Sequence, residues 1–138
     1  MEVPILATPR AIARHIDLVL GPAERDRSSI LFALCDDRAY PLTHAAVDDI
    51  PLDPPPEDCV RCVEPFARAL AAKANGHGGR QGGMLVVLTR PAPRDDLVEC
   101  RWYHAVRDVC ERFGLRMLGV YLATKDAAIG LPAGVDGR

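Results

Sequence analysis

Two apolar runs, Met84-Leu-Val-Val-Leu88 and Leu115-Arg-Met-Leu-Gly-Val-Tyr-Leu122, frame the part of the sequence that decides the fold. Each has the length of a β-strand and is rich in aliphatic side chains, which pack well on a sheet surface. Between them, residues 97–113 carry apolar side chains at helical spacing, and Gly114 provides a stop. A strand, a helix and a strand in this order predict a βαβ unit with parallel strands and a right-handed crossover.

The sequence before this unit predicts a hairpin. Residues 29–35 form a short continuous apolar run, which is typical of a buried strand. Residues 39–47 form a second strand, and Pro41 within it cannot donate a ladder hydrogen bond, so we expect this strand at a sheet edge. The two strands are close enough in sequence to pair as a hairpin.

Two further helices and a short strand complete the predicted order. Thr8-Pro9 starts a helix that Gly21-Pro22 ends, and residues 23–28 are predicted to be a loop. A proline-rich connector leads to a helix that runs to Asn75-Gly76, and residues 127–131 add a short final strand. The predicted fold class is α/β, a mixed sheet with helices packed on it, in the order α-β-β-α-β-α-β-(β).

Composition indicates one domain, residues 1–132, followed by a flexible tail, residues 133–138. The chain has 138 residues, of which 49% are hydrophobic and 26% charged, with a formal net charge of −2. A balanced charge predicts no nucleic-acid partner, and the sequence contains no run long enough to span a membrane. The acidic start lacks the features of a signal peptide, and an odd count of five cysteines indicates reduced thiols. We therefore expect a cytoplasmic protein.

The ends of the two parallel strands are one candidate site. Ligands of α/β proteins bind beyond the carboxyl ends of parallel strands, here the loops 89–96 and 123–126. Arginines there would hold an anionic small molecule, and Asp126 would line the same edge. The alternative is that the acidic residues only cap the following helix and the arginines are solvated. The candidate ligand-binding residues are Thr89, Arg90, Arg94, Asp95, Asp96 and Thr124.

The Cys59-Val-Arg-Cys62 motif is a second candidate. Two cysteines at this spacing at a helix start suit redox exchange, because a helix N-terminus lowers thiol pKa values. The same pair supplies half of a zinc site, which Cys100 and His104, one helical turn apart, would complete. The third interpretation is that the cysteines are packing residues of the core.

Other motifs are uninformative. The glycine-rich residues 77–83 follow a helix and precede a strand, which is the reverse of a phosphate-binding loop, so a flexible connector is predicted. The four histidines form no metal-binding or catalytic motif, and no cofactor is predicted.

The order of elements from Ser29 to Leu131 resembles the RadC-like branch of the JAB metal-binding fold. Met84 to Leu88 is similar to the strand before that family's His-x-His-Pro-Ser-Gly motif, and Leu88-Thr89-Arg90-Pro91 stands in place of His-x-His-Pro. Leu88 and Arg90 thus replace both metal-ligand histidines. The resemblance implies a degenerate domain without metal or hydrolysis.

Three functions follow as hypotheses. The first is a non-enzymatic binding or regulatory module for a protein partner or a small anionic ligand. The second is an enzyme that uses the loops 89–96 and 123–126, and the third is a zinc or redox site on Cys59 and Cys62. The edge strand 39–47 could pair with a second copy in a homodimer, and the alternative is that Pro41 protects this edge from pairing.

Overall fold

The described part of the chain forms a five-stranded mixed sheet with helices on both faces. The structure is a computed structural model, and it describes residues 5–75, 82–91 and 96–131. Along these residues the strands lie in the order β2-β1-β3-β4-β5. The elements are α1 (Pro9–Val19), α2 (Pro22–Arg25), β1 (Ser29–Cys35), β2 (Pro41–Asp48), α3 (Pro56–Asn75), β3 (Gly83–Thr89), α4 (Asp96–Phe113), β4 (Arg116–Ala123) and β5 (Ala128–Gly130).

The predicted βαβ unit is confirmed. β3 and β4 are parallel, with Thr89 opposite Ala123, and α4 connects them. The predicted hairpin is also confirmed, because β1 and β2 are antiparallel and β2 lies at an edge of the sheet. β1 pairs with β3 and β4 pairs with β5, both in antiparallel fashion.

Alternation of side chains along the strands produces two cores. Ile30 and Phe32 of β1 point to the same face as Val86 of β3, and α3 and α4 cover that face. Ala33 and Leu85 point to the opposite face, which α1 covers together with the segment before it. A salt bridge of 2.8 Å between Arg112 and Glu64 joins the last turn of α4 to the middle of α3.

One local prediction is wrong. Residues 23–28 were expected to be a loop, but Pro22–Arg25 form the short helix α2. Pro22 presets a helical φ, and the Glu24 carboxylate accepts a hydrogen bond of 2.9 Å from the Gly21 N–H, which satisfies a free donor at the helix start. Arg25 is buried, which is uncommon for a charged side chain.

Two sequence predictions fall largely outside the described residues. These are the flexible tail, residues 133–138, and the glycine-rich connector up to residue 81. At the end of that connector, Gly82 is buried and Gly83 already belongs to β3, so the strand starts earlier than predicted. Among the helices of the described segments, none combines the length and hydropathy needed to cross a bilayer.

Candidate functional site: the groove between α3 and α4

Thr89 and Thr124 lie at the same edge of the sheet, as the parallel strands predict, but Thr89 serves the fold. Its side chain is buried, and its hydroxyl donates a hydrogen bond of 2.6 Å to the carbonyl oxygen of Arg27. Because a hydroxyl has one proton, Ser29 donates in the second contact, with 2.7 Å between the two oxygens. The Thr89 hydroxyl therefore joins β3 to the segment before β1.

Thr124 shapes the turn between β4 and β5. Its hydroxyl oxygen lies 3.3 Å from the backbone nitrogen of Asp126 and 3.1 Å from that of Ala127, and it accepts from both N–H groups. Its carbonyl oxygen accepts a hydrogen bond of 2.9 Å from the Arg25 guanidinium. Asp126 itself is exposed. These contacts are those of a turn residue and leave no polar atom of Thr124 directed at a ligand pocket.

The remaining strand-end candidates are Arg90, Arg94, Asp95 and Asp96. Arg90 donates a hydrogen bond of 3.1 Å to the Leu52 carbonyl and so holds the proline connector. Arg94 and Asp95 lie outside the described residues, and Asp96 is the first residue of α4. The cavity beside Thr89 has a volume of about 10 Å³, which is room for one water molecule at most.

The cysteine motif has the environment of a core residue. Cys59 is fully buried, and burial raises the pKa of its thiol to about 11. Burial also raises the pKa of Cys62. Both shifts run opposite to the lowered pKa that redox exchange requires.

The four candidate zinc ligands are not brought together. In residues 5–75, 82–91 and 96–131, which include all four, no three side chains of His, Cys, Asp or Glu are arranged to hold a metal ion. Cys59 is buried at the start of α3, whereas Cys100 and His104 line an open groove on the surface. Cys59 therefore lies in the core and Cys100 and His104 lie at the surface, whereas a shared metal ion would need all of them on the same side.

That groove has a volume of about 390 Å³. Cavities that bind ligands fall in the range of about 300–1,000 Å³. α3 contributes its first turns and α4 contributes one continuous side. The lining residues are Pro56, Val60, Leu97, Cys100, Arg101, His104, Ala105 and Asp108.

The spacing of these residues on α4 explains the shape of the groove. Leu97, Cys100, His104 and Asp108 follow one another at intervals of three and four residues, so they form one stripe of about 16 Å at 1.5 Å per residue. The opposite side of α4, with Trp102 and Val106, is buried against the sheet. Leu97 at the start of the stripe is 73% exposed, which is unusual for a leucine on a core helix.

The charged groups of the groove are paired within the protein. The Arg101 guanidinium contacts the Asp53 carboxylate and donates a hydrogen bond of 3.0 Å to the Pro54 carbonyl. Asp108 accepts a hydrogen bond of 3.1 Å from Arg107. Because these charges are compensated, the floor of the groove offers a ligand apolar contact, and only the rim of the groove offers polar contact.

Sequence reasoning missed this groove for a specific reason. The inward stripe of α4, which includes Val98, Trp102 and Val109, is buried as the helical spacing of its apolar residues predicts. Cys100 and His104, however, were considered only as ligands for Cys59 and Cys62. The available signal was Leu97, an apolar residue outside the inward stripe and four residues before Arg101. That signal indicates a second contact surface on the helix.

No family model, curated protein or solved structure matches this chain.

Proposed function

We propose that this protein is a binding module that takes an amphipathic helix of a partner protein in the groove between α3 and α4. The observation that carries the proposal is the stripe from Leu97 to Asp108, which is open to solvent along three turns of α4. A helix laid along such a groove contacts it through residues spaced like those of the stripe itself.

The chemistry of the groove specifies the occupant. Leu97, Val60 and Ala105 offer apolar surface, so the partner segment carries two or three large aliphatic side chains on one face. His104 stands towards the far end of the stripe, where a hydrogen-bonding side chain of the partner would meet it. A small anionic ligand fits less well, because the Arg101 charge is already compensated by Asp53.

The proposal needs no catalytic group, in keeping with the first hypothesis from the sequence. The hydroxyls of Thr89 and Thr124 are engaged in internal hydrogen bonds, which gives the enzyme hypothesis no support. Whether the chain is a degenerate relative of the JAB fold stays a prediction, and the groove proposal does not depend on it.

A matched pair of leucines allows a direct test. Leu97 lies in the groove and is 73% exposed, and Leu18 lies on α1, away from the groove, and is 75% exposed. A photoreactive phenylalanine is placed at one position or the other, and the protein is irradiated in the cells that make it. We expect a discrete cross-linked species from position 97 and none of the same mass from position 18.

The sequence of the cross-linked peptide tests whether the partner segment is an amphipathic helix. Mass spectrometry is expected to place the link in a segment with apolar residues at helical spacing. Equal cross-linking from both leucines, no cross-link from position 97, or a link to a segment without that periodicity would each count against the groove as the binding site.

A further inference from the structure

The two edges of the sheet are protected to very different degrees. β5 forms one edge and has only three residues, Ala128–Gly130. Short edge strands are a common protection against unwanted pairing, because they offer few free backbone groups. β2 forms the other edge and has eight residues, Pro41–Asp48. Its outer backbone groups are an extended template for another strand.

The side chains of β2 lack the usual protection as well. The strand contains no Lys or Arg, and its one carboxylate, Asp48, is its last residue. Edge strands that stay unpaired carry charges in their middle, above all lysine. Pro41 removes a donor only at the start of the strand. Leu42 on β2 and Tyr40 just before it are exposed, at 45% and 38%.

The charges that flank β2 are complementary to each other. Arg38 precedes the strand, and Asp48 and Asp49 end it. Among the described residues, none of these three side chains takes part in an ion pair. Two β2 strands that pair in antiparallel fashion about Thr43–Ala45 bring Arg38 of one copy beside Asp48 and Asp49 of the other. The uncharged middle residues then face one another without repulsion.

We propose that β2 pairs with β2 of a second copy of this chain, so that the two sheets continue into one across a twofold axis. A twofold contact of this kind uses the same surface twice, which the opposite charges at the two ends of β2 allow. The groove between α3 and α4 lies outside the contact, so dimer formation and partner binding are independent properties.

A charge-swap series tests the contact. The oligomeric state of the purified protein is measured by sedimentation equilibrium as a function of concentration. We expect a reversible dimer, and Arg38→Asp is expected to weaken it about tenfold, because two ion pairs per dimer are replaced by repulsion. The triple variant R38D/D48R/D49R also reverses the charges of the two aspartates, and it is expected to restore the affinity of the dimer.

Two lysine variants provide the matched comparison. Ala46→Lys places a charge on the exposed strand, and Ala72→Lys places the same charge on an exposed position of α3. The first is expected to give a monomer with an unchanged circular dichroism spectrum, and the second to leave the dimer intact. A wild-type monomer at about 0.1 mM, or a dimer that both R38D and A46K leave unchanged, overturns the proposal.

Disulfide trapping locates the axis. Opposite residues of an antiparallel pair have Cβ atoms about 5 Å apart, so a cysteine on the axis forms a symmetrical disulfide. Single cysteines at Thr43, His44 and Ala45 are compared with one at Glu57 on α3. We expect efficient cross-linking at the position on the axis, less at its neighbours and none at position 57; equal yields at all four positions contradict the contact.

Discussion

The contact between His15 of α1 and His44 of β2 is the most unusual one at the scale of single residues. Their Nε2 atoms lie 2.8 Å apart and the ring centroids 5.0 Å apart, so the rings meet nitrogen to nitrogen rather than face to face. One nitrogen donates and the other accepts, which holds only while at least one ring is neutral. His15 is 6% exposed, and its Nδ1 has no hydrogen-bond partner among the residues that the structure describes.

This contact makes stability depend on pH. Burial, and then the charge of His44, lowers the pKa of His15, and burial lowers that of His44. The unfolded chain therefore binds more protons below about pH 6.5, and the free energy of unfolding falls as the pH is lowered through that value. Urea unfolding at pH 5 and pH 7 measures the effect. His44→Ala is expected to reduce the pH dependence of the free energy of unfolding. His104→Ala, on the exposed side of α4, is the control and is expected to preserve it. An unchanged pH dependence in His44→Ala contradicts this account.

Arg25 is a second residue with a large structural role. Its guanidinium donates to the Leu20 carbonyl at 3.3 Å, to the Thr124 carbonyl at 2.9 Å and to Asp17 at 2.7 Å. It thus ties the end of α1 to the β4–β5 turn.

Arg25→Met is expected to lower the free energy of unfolding by about 2 kcal/mol, because two carbonyls lose their donor at a buried site. Urea denaturation measures this loss. Arg27→Met, two residues further on and exposed, is the control and is expected to change stability by less than about 0.5 kcal/mol. Equal losses in the two variants would show that the Arg25 hydrogen bonds contribute nothing specific.

Helix ends illustrate what local sequence determines at the scale of the element. The Thr8 side chain accepts a hydrogen bond of 3.1 Å from the Ala11 N–H, as an N-cap threonine predicts. At the end of α4, the Leu115 N–H donates to the Cys110 carbonyl at 2.8 Å, and Gly114 has a φ of 69°. Together these form a Schellman ending, which requires the left-handed conformation that glycine adopts most readily.

Gly114→Ala is expected to cost about 1 kcal/mol, since a left-handed conformation is unfavourable for alanine. Space is not the reason, because an added Cβ meets no atom within 4 Å. Gly114→Asn is expected to cost less, as asparagine tolerates this conformation better. Thermal unfolding of the three proteins measures the order; equal melting temperatures for the alanine and glycine forms would contradict it.

The rates at which the cysteines are alkylated test the packing of α3, α4 and β1. Cys35, Cys59 and Cys110 are buried, and burial raises the pKa values of Cys35 and Cys110 to about 12. At pH 8 we expect these three to resist iodoacetamide until the protein unfolds, whereas the half-buried Cys62 and Cys100 react first. Mass spectrometry of timed samples gives the order, and early labelling of Cys59 would contradict its burial.

For the whole molecule, sequence patterns were sufficient for the sheet but not for the site. Period and composition predicted each strand, the parallel pair β3–β4 and the edge position of β2, because those features depend on local residues such as Pro41. The hydrogen bonds of Arg25 and Thr89 span up to 99 residues of sequence, so no local pattern could indicate them. The groove likewise needs the packing of two helices that are distant in sequence.

The most direct measurement of the central proposal is the affinity of the cross-linked partner segment, as a synthetic peptide, for three forms of this protein. Leu97→Asp places a carboxylate where apolar side chains are to be buried and is expected to weaken binding at least about tenfold. Leu18→Asp makes the same change at an equally exposed leucine of α1 and is expected to leave the affinity unchanged. Equal affinities for the wild type and Leu97→Asp, or equal losses in both variants, would contradict a binding site between α3 and α4.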